Sequence, residues 1–352
     1  MPEPLLFRRF PGLSARVGWL PLAQLPTPVH RLTIDHAGGA LPLLVKRDDL
    51  SAEPYGGNKV RKLEFLLGEA KAGRAGRVVT AGAFGSHHAL ATTLYARREG
   101  LSATCVLFPQ RLTPHVRDIL GMIAAHGAEL RFTRRLEGVP FALQRARWAH
   151  RRERACIIPP GGSSVAGTLG YVNAALELDA QIEAGECPEP SVIHVAAGTL
   201  GTVAGIALGL GLVGRRIPVQ ATRITSPLVT NPRALRRLVT GVAALLAGAG
   251  AEPPPVAQVL SLVTLRDDQI GGGYGYETAA GRAAAEAFSR AGLVLDPTYT
   301  AKAAAAVLLE RPAGAAPPLF WHTLSAAEPL DAVRELDPAA LPAPFARALQ
   351  AS

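Results

Sequence analysis

The chain contains only three cysteines among 352 residues, and aromatic side chains make up only 5% of it. Cys105, Cys156 and Cys187 are odd in number and far apart, and no CxxC pair occurs. This spacing argues against a disulfide framework and a zinc site, so we expect three small buried hydrophobic residues. The chain also lacks a secretory signal pattern and an unbroken apolar run of about 18 residues, the length of a membrane span. These absences predict a soluble, cytoplasmic protein without a membrane partner.

Lysine is also scarce, because arginine dominates the basic residues. The five lysines are Lys46, Lys59, Lys62, Lys71 and Lys302, although Lys and Arg together number 37 and the net charge is +9. A basic excess can indicate nucleic-acid binding, and residues 144–154 form the densest basic run. That run is spaced like one solvated helix face and has no aromatic stacking platform beside it. We therefore expect no nucleic-acid partner, and any lysine chemistry has five candidates.

From about residue 60, helical and strand patterns alternate with short connections. The first series contains a helix at 60–73, a strand at 77–82, a helix at 88–100 and a strand at 103–108. Thr113 before Pro114 predicts the start of a further helix, with a strand following at 128–133. A second series of strands and helices runs from 191, with strands at 218–225 and 317–324 and helices at 231–246, 277–291 and 300–310. This alternation predicts an α/β fold with mostly parallel sheets.

A glycine pair precedes a lysine at the predicted start of the first of these helices. Gly56 and Gly57 allow the chain to turn tightly, so that Asn58 and Lys59 begin the helix facing a cleft. An ordinary loop and helix cap is the alternative interpretation.

A second glycine-rich segment, AAGTLGT at 196–202, lies between a strand and a helix. Backbone N–H groups at a helix start bind phosphate without a charged side chain. The segment lacks the GxGxxG and GxxxxGK[ST] patterns, which argues against a dinucleotide or nucleoside triphosphate. A cleft lysine together with such a loop matches what pyridoxal 5'-phosphate requires, namely an amine for its aldehyde and an anchor for its phosphate.

Seven segments then resemble the family of D-cysteine desulfhydrase and 1-aminocyclopropane-1-carboxylate (ACC) deaminase, in the family's order and approximate spacing. They are YGGNKVRKLEF (55–65), TAGAFGSHHA (80–89), PPGGSSVAGTLGYV (159–172), GTLGT (198–202), GYGYE (273–277), LDPTYTAKA (295–303) and FWHT (320–323).

The resemblance implies a role for each matching residue. Lys59 matches the family's Schiff-base lysine, and Lys62 matches a structural lysine of the same helix. Ser86 matches the residue at the turn that binds the substrate carboxylate in the family. The substrate-binding residues implied are Ser86, His87, His88 and Gly162. The cofactor phosphate is expected at Gly198, Thr199, Leu200, Gly201 and Thr202.

Four hydroxyl-bearing residues complete the implied site. Tyr274 and Tyr299 match tyrosines at the reactive face and are candidates for acid–base or gating roles, with core packing as the alternative. Lys59, Ser86, Tyr274 and Tyr299 are thus the implied catalytic residues. Thr300 and Thr323 match hydroxyls beside the pyridine nitrogen of the cofactor. Because ACC deaminase-like members carry Glu where this chain has Thr300, the resemblance favours the desulfhydrase-like members.

Some positions depart from the family pattern. His87 replaces an Asn that contacts the ring hydroxyl of the cofactor, and a histidine can titrate near neutral pH. Leu324 and Ser325 replace a glycine pair, and Ser164 also replaces an Asn. These departures indicate a divergent branch, but they do not suggest a metal site.

We therefore expect a type II pyridoxal-phosphate fold with two doubly wound lobes and the cofactor in the cleft between them. Residues 1–64 and 178–352 would form the large lobe, and residues 65–177 would form a smaller lobe inserted in it. The implied activity is D-cysteine desulfhydrase-like α,β-elimination on a small amino acid, in a homodimer. The alternatives are ACC deaminase-like ring opening, another lyase, racemase or β-replacement activity, and non-catalytic cofactor binding.

Overall fold

A computed structural model describes residues 3–309, 316–327, 333 and 336–350. Ten strands lie in these ranges: β1 (Val29–His36), β2 (Gly39–Arg47), β3 (Arg77–Ala83), β4 (Ser102–Phe108), β5 (Glu129–Phe132), β6 (Cys156–Ile157), β7 (Ile193–Ala197), β8 (Val219–Arg223), β9 (Val263–Arg266) and β10 (Leu319–His322).

Twelve α-helices lie in the same ranges. They are α1 (Leu5–Arg9), α2 (Asn58–Ala72), α3 (His87–Arg98), α4 (Pro114–Ala125), α5 (Val139–Ala149), α6 (Val165–Glu183), α7 (Gly201–Leu212), α8 (Pro232–Gly248), α9 (Val256–Ser261), α10 (Ala279–Arg290), α11 (Thr300–Leu308) and α12 (Ala343–Gln350). None of these helices has the length and apolarity needed to cross a bilayer.

The described strands form two sheets. The larger has six strands in the order β1-β2-β10-β7-β8-β9, and the smaller has four in the order β5-β4-β3-β6. Among the described strands, the β1–β2 pair is antiparallel and the other pairs are parallel. The strands of the smaller sheet all lie between β2 and β7 in sequence. The predicted α/β class with mostly parallel sheets is confirmed.

Alternate residues of a strand point to opposite faces of a sheet, and helices pack against the side chains on both faces of the larger sheet. Leu43, Val45 and Phe320 pack with residues of α10 and α11 in one core. Leu44 and Trp321 belong to a second core, which also contains residues of α2, α6, α7 and α8. Side chains from both faces of the sheet are thus removed from water, and this burial is the main stabilising term for such layers.

The smaller sheet is covered in the same way. Val79 and Val106 pack against Leu143 of α5, whereas Val78 and Cys105 join the core that includes α3 and α4. Both sheets are therefore doubly wound, as predicted. The division into lobes at 64/65 and 177/178 remains a proposal, and both positions fall inside long helices, α2 and α6.

Local signals placed several helix starts correctly. Thr113 caps α4, since its Oγ1 accepts a hydrogen bond from the Val116 N–H at 3.3 Å, and Pro114 is the first helical residue. The predicted helix at 300–310 is observed as α11, and residue 310 lies outside the described residues. The expectation of three buried cysteines was wrong for Cys156, which is half-buried because β6 is an edge strand.

Four buried charged side chains connect α2 to the larger sheet and to α6. Lys46, Asp48, Arg61 and Glu177 are each at most 3% exposed. The Arg61 guanidinium lies 2.7 Å from Asp48 Oδ1 and 2.9 Å from Glu177 Oε2. Lys46 Nζ lies 2.5 Å from Glu177 Oε1. Two cations face two carboxylates, so each charge has a partner that offsets the cost of removing it from water.

The neighbours of this buried network satisfy its remaining acceptors. Asp48 Oδ2 accepts hydrogen bonds from the Tyr171 hydroxyl at 2.5 Å and from the Trp321 indole at 2.7 Å. The backbones of α2 and α6 also touch, because a Cβ added at Gly170 would lie 2.1 Å from the Arg61 carbonyl oxygen. The position of the first turn of α2, which carries Lys59, is therefore fixed from behind.

Removing one charge from the network is predicted to destabilise the protein. Glu177→Gln keeps the side-chain shape but leaves Arg61 and Lys46 in excess, so the free energy of unfolding at pH 7 should fall by about 3 kcal/mol. Urea unfolding measures this change. The control is Glu183→Gln on the same helix. The Glu183 side chain is 71% exposed, so removing its charge should lower the free energy of unfolding by no more than about 1 kcal/mol. Equal losses in the two variants would contradict the account.

The same variant has a defined pH signature. Burial opposes ionisation of Glu177, but Arg61 and Lys46 lower its pKa to about 2. A carboxylate with a lowered pKa in the folded state stabilises the fold above its unfolded pKa of about 4.3 and loses this effect as pH falls through the folded pKa. The stability difference between wild type and Glu177→Gln should therefore shrink between about pH 4 and pH 2.

Candidate active site

A cleft of about 1050 Å³ lies at the carboxyl ends of β3, β7, β8 and β10. In open parallel sheets, this edge is where ligands bind. The predicted site residues that line the cleft are Lys59, Ser86, His87, His88, Gly198, Thr199, Leu200, Thr202, Tyr274, Tyr299 and Thr323. The structure places Gly162, Gly201 and Thr300 just outside this lining.

Lys59 lies in the first turn of α2, and a close backbone approach precedes it. Gly57 has a φ of +83°, and a Cβ there would lie 2.7 Å from the Thr323 carbonyl oxygen, so only glycine fits. The Asn58 N–H donates to that carbonyl at 3.1 Å, and Lys59 Nζ donates to Asn58 Oδ1 at 2.5 Å. The strand end after β10 thus holds the start of α2 against the cleft.

The local environment makes the Lys59 amine nucleophilic. Burial lowers the pKa of Lys59 to about 8, against the opposing attraction of Asp296. At pH 7 about a tenth of the amine is therefore neutral, many times more than for an ordinary lysine with a pKa near 10.4. A neutral amine can attack a carbonyl carbon, which a protonated one cannot.

The GTLGT segment connects β7 to α7 as predicted. Leu200 caps α7 in a left-handed conformation with a φ of +68°, and it is 2% exposed. The first backbone N–H groups of α7 have no carbonyl partner within the helix, and the positive end of the helix dipole lies there. The segment thus has the form of an anion site without a charged side chain of its own.

Two residues that were not assigned to the phosphate site from the sequence lie behind this loop. Ser163 Oγ accepts a hydrogen bond from the Gly201 N–H at 3.0 Å and lies 2.6 Å from Thr199 Oγ1. Lys62 Nζ lies 3.0 Å from the Gly161 carbonyl oxygen and 3.5 Å from Ser163 Oγ. Burial and the nearby Lys59 lower the pKa of Lys62. A basic nitrogen therefore stands beside the loop, where an anion would raise its proton affinity.

Tyr274 and Tyr299 form a pair at another wall of the cleft. Their hydroxyl oxygens are 2.6 Å apart, and their rings meet edge to face at 83°. Burial raises the pKa of Tyr274 to about 12 and that of Tyr299 well above 10. Lys59 Nζ lies 5.8 Å from the centre of the Tyr299 ring. Both phenols stay protonated at neutral pH, so they can donate hydrogen bonds beside the amine.

Asp296 is a cleft residue that the sequence analysis missed. Its Oδ1 accepts hydrogen bonds from the Thr298 and Tyr299 N–H groups at 3.0 and 2.7 Å. Its Oδ2 accepts from the N–H and the hydroxyl of Thr300 at 3.0 and 2.7 Å. Burial opposes its ionisation, but His87 and these hydrogen bonds lower the pKa of Asp296. An Asp just before a helix is an N-cap signal, so the LDPT sequence could have revealed it.

Contacts with the side chains of Tyr55 and His115 hold the His87 ring in place. His87 Nδ1 lies 2.5 Å from the Tyr55 hydroxyl, and Nε2 lies 3.2 Å from His115 Nε2. Burial lowers the pKa of His87, against the attraction of Asp296. The expectation that His87 titrates near neutral pH therefore does not fit the structure. Tyr55 opens the YGGNKVRKLEF segment, but no sequence pattern gave it or His115 a role beside His87, because three separate segments supply the contact.

The neighbouring residues of the SHH sequence have local structural partners. Ser86 Oγ caps α3 by accepting a hydrogen bond from the Ala89 N–H at 3.2 Å. His88 Nε2 lies 3.0 Å from Thr80 Oγ1, and burial lowers the pKa of His88. Within the described residues, no group of three or more His, Cys, Asp or Glu side chains is placed to hold a metal ion.

The residues after Thr323 fit the cleft although they are not glycines. Ser325 Oγ accepts a hydrogen bond from the Gly56 N–H at 2.8 Å and donates one to the Ala327 carbonyl at 2.7 Å. Leu324 lines the cleft and is 8% exposed. Ser325 thus fastens the loop that carries the glycine pair, which gives the departure from the family pattern a structural purpose.

These features fit a cofactor with an aldehyde and a phosphate. Lys59 supplies an amine with a lowered pKa, and the start of α7 supplies an anion site with Lys62 beside it. The two lie in one cleft, and its volume of about 1050 Å³ leaves space for a substrate as well. The arrangement can bind an amino compound, hold an adjacent anion and move a proton at the amine.

Comparisons with known proteins agree with this geometry. A family model described as "Pyridoxal-phosphate dependent enzyme" matches residues 20–319. The chain is 35% identical to Nocardicin C-9' epimerase from Nocardia uniformis subsp. tsuyamanensis, over 88% of this chain and 93% of the relative. It is 32% identical to D-cysteine desulfhydrase from Klebsiella pneumoniae (strain 342), over 90% and 94%.

Two further relatives concern ACC deaminase. A putative 1-aminocyclopropane-1-carboxylate deaminase from Pyrococcus horikoshii is 33% identical over 85% of this chain and 86% of the relative. A solved structure described as an ACC deaminase homologue superposes with a TM-score of 0.74 at 31% identity, covering 93% of this chain and 96% of the other.

The lowered pKa of Lys59 can be measured without any bound ligand. Competitive acetylation across a pH series, read by peptide mass spectrometry, should show half-maximal labelling of Lys59 near pH 8, because only the neutral amine reacts. Lys71, whose side chain is 42% exposed, reports reagent reactivity in the same sample. Half-maximal labelling of Lys59 above about pH 10, the ordinary lysine range, would refute the burial argument.

Proposed function

Because the chain belongs to the pyridoxal-phosphate-dependent enzymes, in the family of D-cysteine desulfhydrase and ACC deaminase, we propose that it catalyses α,β-elimination on a small amino acid. D-cysteine is the proposed substrate. With one water molecule it would give pyruvate, ammonia and hydrogen sulfide, so that the Cα–H and Cβ–S bonds break and the thiol leaves with a proton.

The observation that carries this choice is the hydrogen-bonding state of Asp296. Its carboxylate accepts four hydrogen bonds from Thr298, Tyr299 and Thr300, all at the start of α11. We infer that the group facing the pyridine nitrogen is a neutral hydroxyl rather than a carboxylate. Thr323 lines the cleft and would supply it, whereas Thr300 lies outside the lining and its hydroxyl already donates to Asp296. A neutral hydroxyl favours an unprotonated ring, which is a weaker electron sink and suits elimination of a good leaving group.

Pyridoxal phosphate, when bound, supplies an electron-withdrawing ring that makes the α-hydrogen of a bound amino acid removable. Lys59 would hold the cofactor before substrate arrives and would then be the base at the α-carbon, since part of its amine is neutral at pH 7. The start of α7, with Ser163 and Lys62 behind it, would hold the phosphate.

The other cleft residues would position the substrate. The turn at Ser86 begins α3, so the backbone N–H groups after it can accept a carboxylate at a helix start. The contacts of His87 with Tyr55 and His115 fix the plane of its ring. Because a neutral imidazole has one N–H, a hydrogen bond from His87 to the cofactor's ring oxygen would replace one of these two contacts. Tyr299 would donate a proton towards the leaving group from the side of the Lys59 amine, with Tyr274 hydrogen-bonded behind it.

An epimerase or racemase is the second candidate, because the relative at 35% identity is named Nocardicin C-9' epimerase. Such a reaction needs α-proton removal and return, which the Lys59 amine and the Tyr299 hydroxyl could divide between them. The two candidates differ in product, since epimerisation in deuterium oxide labels the α-carbon and releases no keto acid. A homodimer remains our proposal from the family resemblance alone, and a cytoplasmic location remains our prediction from the sequence.

A screen of D-cysteine, L-cysteine and ACC tests the reaction. We expect pyruvate and sulfide from D-cysteine, and Lys59→Ala should lower the rate by about 10³-fold because both the cofactor anchor and the base are lost. The control is Lys71→Ala, which removes a lysine with a 42% exposed side chain and should leave the rate unchanged. Deuterium exchange without keto acid would favour the epimerase, and turnover that survives Lys59→Ala would move the chemistry to another residue.

The tyrosine pair has its own test. Tyr299→Phe removes one hydroxyl and should lower kcat by about 10²-fold while leaving cofactor binding intact, if the phenol transfers a proton. Tyr276→Phe is the matched control, because Tyr276 belongs to the same GYGYE segment as Tyr274 but is 47% exposed. A Tyr299→Phe protein with wild-type kcat and only lower stability would assign the pair to packing.

A further inference from the structure

The cleft extends beyond the cofactor region to one face of α8. Arg233, Ala234, Arg237 and Leu238 line it, and their spacing places them on one side of the helix. Other residues of α8 pack into the core, namely Leu235, Val239, Val242 and Leu246. The α8 end of the cleft therefore presents two long basic side chains to a volume that is continuous with the Lys59 region.

The charges along the cleft are unbalanced. Four basic residues line it, Lys59, Lys62, Arg233 and Arg237, whereas Asp296 is the one acidic residue in the lining formed by the described chain. Asp296 already accepts hydrogen bonds from the Tyr299 and Thr300 N–H groups at the start of α11. Within the described residues, neither arginine side chain has a hydrogen bond or an ion pair. Both guanidinium groups can therefore bind an anion that the described part of the chain does not supply.

The proposed reaction does not account for this end of the cleft. The phosphate is assigned to the start of α7 beside Lys62, and the substrate's own carboxylate to the turn at Ser86. A cysteine side chain ends one atom beyond Cβ, whereas the cavity volume of about 1050 Å³ stands at the top of the range for drug-sized ligands, about 300–1000 Å³.

Two exposed apolar side chains also line the cleft. Leu228 lines the cleft and is 91% exposed, and Leu136, from a segment next to the smaller sheet, lines it and is 45% exposed. An apolar chain that contacts these leucines would remove them from water, which is favourable. The arginine guanidinium groups can bind a carboxylate through two parallel hydrogen bonds each.

We propose that the α8 end of the cleft is a subsite for a second, distal carboxylate of the substrate, joined to the reacting amino acid by a short apolar chain. The substrate class then extends from D-cysteine to amino acids with an acidic side-chain extension, for example an S-carboxyalkyl cysteine, whose elimination releases a mercapto acid in place of hydrogen sulfide. Arg233 and Arg237 would determine the preference for the acidic extension. The proposal rests on the proposed function for the reacting end of the molecule.

A pair of ligands that differ only in charge tests the subsite. S-(2-carboxyethyl)cysteine and its primary amide have the same number of heavy atoms, and both enantiomers of each are used. Dissociation constants for the holoenzyme come from titration calorimetry and from the change in the visible absorption of the bound cofactor. Keto-acid release gives kcat/KM for the same ligands.

The variant is Arg233→Gln combined with Arg237→Gln, and the control is Arg236→Gln. Arg236 is exposed on the same helical turn but does not line the cleft. In wild type and in the control, the acid should bind at least about tenfold more tightly than the amide, as expected for charge-assisted hydrogen bonds. In the double variant this preference should fall to within about twofold, with cofactor affinity unchanged.

Two results would overturn the proposal. One is that the acid and the amide have nearly equal dissociation constants in wild type, or that the double variant does not change the ratio of these constants. The other is a loss of pyridoxal phosphate affinity in the double variant, which would assign the arginines to the cofactor phosphate. The two claims fail separately. If the acid binds more tightly than the amide and this preference depends on the arginines, but no keto acid is released, the subsite is supported and elimination is refuted. If both ligands release keto acid and neither binds more tightly, elimination is supported and the subsite is refuted.

Discussion

The buried network of Lys46, Asp48, Arg61 and Glu177 is the constraint on which the position of Lys59 depends. It joins β2, α2 and α6 where none of the four charges can reach water. A buried charge network of this kind contributes little net stability compared with apolar packing, but breaking it is costly, so it specifies one arrangement of the helices. The first turn of α2 then has one position relative to the ends of the strands, and the amine that it carries is held with it.

The cleft is built from the ends of secondary structure elements. The starts of α2, α3, α7 and α11 meet there with the carboxyl ends of parallel strands. Helix starts attract negative charge, and strand ends leave the backbone close to a ligand. This explains how one cleft can serve a phosphate and a carboxylate while its neutral groups, the Tyr274–Tyr299 pair and His87, are kept uncharged by burial.

Much of the fold and of the cleft could be predicted from the sequence, because these features depend on local sequence patterns. The βα alternation predicted the sheets, and the GTLGT segment and the glycine pair before Lys59 lie where the patterns placed them. What sequence reasoning missed depends on contacts between distant segments. Tyr55 and His115 reach His87 from separate segments, and burial, which sets the pKa of His87, is a property of the folded chain. Cys156 was misjudged for the same reason, since only the sheet order shows that β6 is an edge strand.

We propose Lys59 as the residue that binds the cofactor covalently. The most direct measurement is borohydride reduction of the holoenzyme followed by proteolysis and mass spectrometry, which locates the covalently fixed cofactor on one peptide. We expect a single pyridoxyl-phosphate adduct on Lys59, the lysine at the start of α2 whose pKa burial lowers to about 8. An adduct on Lys62 or on another lysine, or no adduct in protein saturated with pyridoxal phosphate, would contradict it.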